Sequence, residues 1–157
     1  MTTFDKSSIR AFRFVRCPFD AETGVARLVY AFDEGPELTE TVTIPGAPFA
    51  LDATRAQAVE HAVRLLHLIT GVSYYKAAVP NEIRIEGYAI DAATAVLMEQ
   101  VYVHGLGEFA YRNGLSLHGR VRFPVAAQAP APAAAAGLRE HALVAIGGGK
   151  DSLVSIE

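Results

Sequence analysis

AFRFVRCPFDAETGVARLVYAFDEGPELTETVTIP, residues 11–45, decides the first part of the fold. Three segments within it alternate with a period of two. Phe12 and Phe14 share a face with Arg16, against Arg13, Val15 and Cys17. Leu28, Tyr30 and Phe32 alternate with Arg27, Val29 and Ala31. Leu38, Val42 and Ile44 alternate with Thr39, Thr41 and Thr43. That period is the signature of a strand with one buried face. Residues 18–24 (PFDAETG) and 33–36 (DEGP) read as turns, with Gly24 suited to positive φ. The stretch therefore predicts an antiparallel three-stranded meander. Glu40 falls on an apolar side, which assigns it to an edge, and Pro45 ends the last strand.

Helices follow. Thr54 and Gln57 have capping-box spacing and predict a helix start at Thr54. Val59, Val63, Leu66 and Ile69 then recur at helical spacing, with Ala62 and Leu65 widening the stripe. Gly71 is the expected C-terminal stop. Residues 72–79 (VSYYKAAV) fit either extended chain or a short helix, and Ile83 and Ile85 predict a short strand. Asp91 is the expected cap of a second helix that presents Ala95, Met98, Val101 and Tyr102 and runs toward Asn113-Gly114. Gly105 and Gly107 inside it cost roughly 1 kcal/mol each relative to alanine, so a close backbone or ligand is expected there. Leu115 to Phe123 reads as strand or loop.

Working outward, the 157 residues suffice for one domain, or for one domain and the beginning of another. Hydrophobic residues at 51% and charged residues at 20% exclude an intrinsically disordered chain. Fourteen Lys and Arg against seventeen Asp and Glu give a formal charge of −3, so no basic excess points to nucleic acid. A lone Cys17 cannot form an intrachain disulfide. Charges at the N-terminus interrupt any signal-peptide apolar core, and no apolar run is long enough for a membrane span. The expected location is the cytoplasm.

Past residue 125 the composition changes. Residues 126–137, AAQAPAPAAAAG, carry no bulky side chain and read as a linker. Ala142 to Ile146 is a short apolar run of the kind buried on both faces of a parallel sheet. A glycine loop and the first turns of a helix follow, ending at Glu157. A parallel strand needs neighbours reached by long crossovers, so residues 138–157 read as the opening of a second, truncated domain; the alternative is a natural C-terminal strand that completes the first domain, with a frayed tail.

That loop is Gly147-Gly148-Gly149-Lys150-Asp151-Ser152. Glycines let successive amides converge on one anion, and a following helix N-terminus adds partial positive charge. A P-loop fails twice, because Asp151 follows the lysine and Val144 stands where a glycine is required. A dinucleotide fingerprint fails at Ser152. The pyrophosphate loop of adenylate-forming ATP pyrophosphatases, SGGxDS, fits all but its first position, where Gly147 replaces serine. An ordinary glycine-rich turn is the alternative.

Long segments resemble the bacterial UDP-N-acetyl-α-D-muramoyl-L-alanyl-L-glutamate epimerase family. They are FRFVRC from Phe12, LVYAFDEGPEL, LLHLITGVSYYKAAVP, GLGEFAYRNGL, RFPVAAQAP and LREHALVAIGGGKDSLVSIE, and they cover nearly the whole chain. In that family the leading glycine of GGGKDS is usual. The resemblance implies an ATP- and Mg²⁺-dependent isomerase of peptidoglycan precursor synthesis, and so a part in cell-wall biogenesis, cell shape and cell division. It would convert UDP-MurNAc-L-Ala-L-Glu to the D-Glu epimer through an acyl-adenylate, releasing AMP and pyrophosphate. Gly147, Gly148, Gly149, Lys150, Asp151 and Ser152 would then hold the ATP pyrophosphate, and no metal ligand or catalytic base is assigned. The resemblance also implies that this chain is an N-terminal fragment, inactive alone. The expected fold is an α+β domain over residues 1–125, a linker over 126–137, and over 138–157 the start of a truncated α/β ATP-binding domain. Another adenylate-forming amidotransferase or ligase, and a non-catalytic binding module, are the competing readings.

Other residues carry a functional and a plainer reading side by side. Lys76 is able to meet a carboxylate or phosphate, and Tyr74 and Tyr75 to stack on uracil; the alternative is a surface lysine beside half-buried tyrosines. Glu108, Arg112 and Asn113 are candidate substrate contacts, or a solvated i,i+4 pair and its neighbour. His104 and Glu108 share a helix face by spacing, but a third metal ligand is lacking. Arg13 and Arg16 are weighed as diphosphate contacts against exposed strand arginines. His61 and His67 are expected to flank the core stripe, His118 and His141 to sit in loops, and Cys17 to be a buried strand thiol.

Overall fold

In the computed structural model, which describes residues 5–128 together with Ala135 and Gly137, the alternating stretch pairs as a meander. Its strands are β1 (Ala11–Arg16), β2 (Phe19–Asp20), β3 (Val25–Phe32) and β4 (Leu38–Thr43). β3 lies antiparallel to β1 on one edge, with Phe12 opposite Phe32 and Phe14 opposite Tyr30, and to β4 on the other. The register slips between Phe14 and Arg16, and the chain re-pairs with β3 as the two-residue β2. Gly24 has φ of +71°, and an added Cβ would collide with the Ile44 carbonyl, so the turn requires glycine. A fifth strand, β5 (Glu82–Ile85), joins β1 in parallel from Ala11↔Glu82 to Phe14↔Ile85, which makes the sheet mixed. β3 is the central strand, and Val29 and Ala31 are buried along with Leu28 and Tyr30. One buried face is therefore not the whole description of β3.

Helix α1 (Ala53–Thr70) begins one residue ahead of Thr54, and its cap lies two residues ahead of the expected one. Asp52, not Thr54, is the N-cap, its carboxylate accepting from the Arg55 N–H at 2.8 Å. The buried face is also rotated. Val63, His67 and Leu68 point inward, whereas Leu65 and Ile69 are 41% and 46% exposed. His67 enters the core because both ring nitrogens find partners there. Gly71 is not a left-handed stop either, since its φ of −55° and ψ of −22° carry the helical path into α2 (Val72–Tyr75). A Cβ at Gly71 would stand 2.5 Å from Phe14 Cε1 and 2.9 Å from the Tyr102 hydroxyl, so glycine is there to let two rings approach the backbone.

Helix α3 (Ala92–Gly105) is capped by Asp91, which accepts from the Thr94 N–H at 2.7 Å, and it buries Ala95, Met98 and Tyr102. It does not run on to Asn113. The chain breaks at Leu106 and restarts as α4 (Gly107–Arg112). Among the described residues nothing lies within 4 Å of a Cβ placed on Gly105 or Gly107, so these glycines mark the break and not a close approach. Residues 115–123 form a loop that buries Leu117, Val121 and Phe123.

The core lies where the sheet meets α1 and α3. Phe12, Phe14 and Tyr30 pack with Tyr75 and Tyr102 in edge and stacked contacts at centroid distances of 5.0–6.0 Å. Two buried hydroxyls satisfy carbonyls in the last turn of α1, where intrahelical partners run out. Tyr30 donates to the His67 carbonyl at 2.9 Å and Tyr102 to the Leu68 carbonyl at 2.8 Å. Glu40 does sit on the sheet-edge strand β4, half-buried and accepting from the Tyr74 hydroxyl at 2.9 Å. Among the described residues no helix is long and apolar enough to cross a membrane. The strand, glycine loop and helix expected over residues 138–157, and most of the expected linker, lie outside the described residues.

Candidate anion-binding cleft

Parallel pairing puts the N-terminal ends of β1 and β5 side by side. The Glu82 N–H donates to the Arg10 carbonyl at 3.2 Å, so residues 6–10 run beside residues 76–82. With the end of α4 and the loop after it, these segments enclose a cleft of about 890 Å³. That is room enough for a nucleotide-sized ligand. Lys6, Arg10, Lys76 and Arg120 line it, together with Asn113 and Glu82.

The charges are not balanced within the cleft. Among the described residues Glu82 is its only carboxylate, and Arg84 already holds it through two hydrogen bonds of 2.7 and 3.0 Å, which keeps its pKa low. Among the described residues, Lys6, Arg10, Lys76 and Arg120 have no ion pair. Every other described arginine except Arg27 has one. Arg120 Nε is buried and has no hydrogen-bond partner among the described residues. A buried N–H left without an acceptor costs about 1–3 kcal/mol, more when charged, so this one calls for an acceptor from beyond the described residues.

The candidates singled out in the sequence divide. Lys76 and Asn113 come together in this cleft. Tyr75 does not offer a stacking face: it is fully buried, and its hydroxyl donates to the Pro80 carbonyl at 3.0 Å. Burial pushes its pKa up to about 12. Tyr74 is half-buried, stacked on Tyr30 at 4.9 Å and bonded to Glu40. Glu108 and Arg112 form an exposed i,i+4 pair at 3.2 Å on α4. His104 belongs to α3 and meets Gln100 at 2.8 Å, so it does not share a helix with Glu108. Arg13 and Arg16 are both committed, Arg13 to Glu86 and the Asp33 carbonyl and Arg16 to both oxygens of Glu37. Cys17 is half-buried, its thiol pushed up to about 11 by desolvation. Gly147 to Ser152 lie outside the described residues.

Sequence reasoning missed Lys6, Arg10 and Arg120. Nothing local marks them, because what sets them apart is that none forms an ion pair among the described residues. Among the described residues no three His, Cys, Asp or Glu side chains gather as a metal site.

A family profile described as the MurL N-terminal domain matches residues 3–157. The chain belongs to that family. Three relatives carry the name UDP-N-acetyl-alpha-D-muramoyl-L-alanyl-L-glutamate epimerase. The one from Xanthomonas oryzae pv. oryzae is 71% identical over 157 residues, all of this chain and 35% of the relative. Those from Salinispora tropica and a Micromonospora species are 38% and 39% identical, each over 94% of this chain and about a third of their own length. This MurL N-terminal domain chain thus spans about a third of the relatives it matches. No solved structure matches it.

Proposed function

We propose that this chain is the N-terminal part of an ATP-dependent epimerase that inverts the terminal L-glutamate of UDP-MurNAc-L-Ala-L-Glu. The observation that carries this reading is 71% identity, without loss of any part of the chain, to a protein named as that epimerase. The glycine loop Gly147–Ser152 fits a pyrophosphate loop for the ATP, and Mg²⁺ would enter with the ATP phosphates.

Elementary chemistry explains why ATP is needed. Removing the α-proton of glutamate puts a carbanion beside a carboxylate, and the adjacent negative charge opposes it. In the proposed sequence a carboxylate oxygen attacks the α-phosphorus of ATP and pyrophosphate leaves. The acyl-adenylate is a neutral electron sink at the carbonyl. A general base then takes the α-proton, and a proton returns from the opposite face. Water cleaves the acyl-adenylate to carboxylate and AMP, which makes the cycle effectively irreversible.

The test is turnover by the full-length protein in D₂O. The D-glutamyl product carries deuterium at its α-carbon, with one AMP and one pyrophosphate released per inversion. Product without deuterium, or inversion without AMP, refutes the sequence. An adenylating ligase would instead require an added amine acceptor.

A further inference from the structure

We propose that the cleft between the start of β1 and the start of β5 binds the diphosphate of a nucleoside-diphosphate-linked ligand, through the cleft's own cations and not through Gly147–Ser152. Four cations, Lys6, Arg10, Lys76 and Arg120, line it, and its one carboxylate among the described residues, Glu82, is held by Arg84. The same molecule pairs nearly every other described arginine with an acid. Like charges gathered in one concave site repel, and field lines focused by the walls strengthen that repulsion. A fold that keeps them there has a counter-charge to receive.

The size of that counter-charge follows from the count. One carboxylate is satisfied by one arginine fork, whereas a diphosphate brings several charges and many acceptor oxygens. Asn113 on the cleft wall gives one amide hydrogen to the Phe109 carbonyl and has a second to offer to the same oxygens. Nucleic acid is a poorer fit, since the cations are confined to one pocket of a chain with net charge −3 and do not form a stripe. Identifying the ligand with the UDP end of the substrate rests on the epimerase reading; the diphosphate site itself does not.

Calorimetric titration of UDP into the 157-residue chain at low ionic strength tests the site. Lys76 and Arg10 are exposed, so Lys76→Gln and Arg10→Gln are expected to fold, and matching thermal melts check this. Each weakens UDP about tenfold, the worth of one charge-assisted hydrogen bond. Lys150→Gln in the glycine loop leaves UDP affinity unchanged. Inorganic pyrophosphate competes with UDP, and the dipeptide L-Ala-L-Glu at equal concentration does not. Absence of UDP binding overturns the proposal, and so does indifference to both cleft substitutions. Loss of binding in Lys150→Gln assigns the diphosphate to the loop and overturns it too. Competition by the dipeptide as strong as by pyrophosphate makes the cleft a carboxylate site, again against the proposal. UDP binding that survives while the full-length protein fails to epimerise removes the function and leaves the site; the reverse removes only the site.

Discussion

His67 is expected to make this domain lose stability as pH falls from 7.5 to 5.0. The side chain is fully buried. Its Nε2 stands 3.0 Å from the Val29 carbonyl, a pure acceptor, so that nitrogen carries the proton, and Nδ1 accepts from the Tyr88 hydroxyl at 3.1 Å. Tyr30 and Phe14 enclose the ring at 4.6 and 5.2 Å. Burial opposes the imidazolium and lowers the pKa to about 4, although the bond to Val29 works the other way. An unfolded histidine titrates near 6.5. The unfolded state therefore binds a proton below about 6.5 that the native state refuses until about 4. Stability is complete above the unfolded value and falls with pH across that window. At about 1.4 kcal/mol per pH unit for one proton, the loss is about 2 kcal/mol at pH 5 and about 3 by pH 4. Urea denaturation at pH 7.5, 6.5, 5.5 and 5.0 reads it. His67→Gln retains a donor and an acceptor but cannot titrate, so its stability should be nearly flat over the same range. The reasoning is refuted if the wild-type chain and His67→Gln show the same slope. Carboxylates held low by their partners, such as Glu37 with Arg16 and Asp91 with the Thr94 N–H, titrate mainly below this range and do not blur it.

Two further outcomes are expected. Gly71→Ala destabilises by about 1–3 kcal/mol in urea denaturation, because overpacking against Phe14 and Tyr102 outweighs the usual helical gain of about 1 kcal/mol; a neutral or stabilising result contradicts the close approach. Cys17, with a thiol pushed up to about 11, reacts slowly with a thiol-directed disulfide reagent at pH 8 in the folded chain and fast in urea; equal rates in the two states contradict its burial.

The meander was legible because alternation over residues 11–45 is a strong period, and the Asp91 cap because Asp precedes an apolar helical run. The face of α1 was misread for a definite reason. Apolarity alone places Leu65 and Ile69 inward, but a histidine with two internal hydrogen bonds outcompetes them for the buried position. Gly71 was read as a stop because glycine ends helices more often than it makes room for rings. Telling these apart requires knowing that Phe14, far earlier in the chain, packs on that spot. The cleft was legible only in part, through Lys76 and Asn113. Arg10 and Arg120 are joined by the parallel pairing of β1 with β5 and by a loop without regular structure, and neither has a periodic signature.

A diphosphate site apart from the glycine loop also makes physical sense of the proposed reaction. In UDP-MurNAc-L-Ala-L-Glu the diphosphate and the glutamate are separated by a sugar and an alanine. In the proposed reaction a loop that binds ATP would serve the glutamate end, where adenylation would take place, and could not also hold the substrate's remote diphosphate. Anchoring the remote end on different elements lets its binding energy hold a small, flexible dipeptide terminus in line with the α-phosphorus of ATP. Charge at the anchor and charge at the loop then act on different terms. Under the proposed function, weakening the cleft would reduce capture and alignment of substrate, whereas weakening the loop would remove the chemistry. On this reading the cations left unpaired around Lys76 and Arg120 are the counterpart of the substrate's most highly charged group, located at the end where no bond is made or broken.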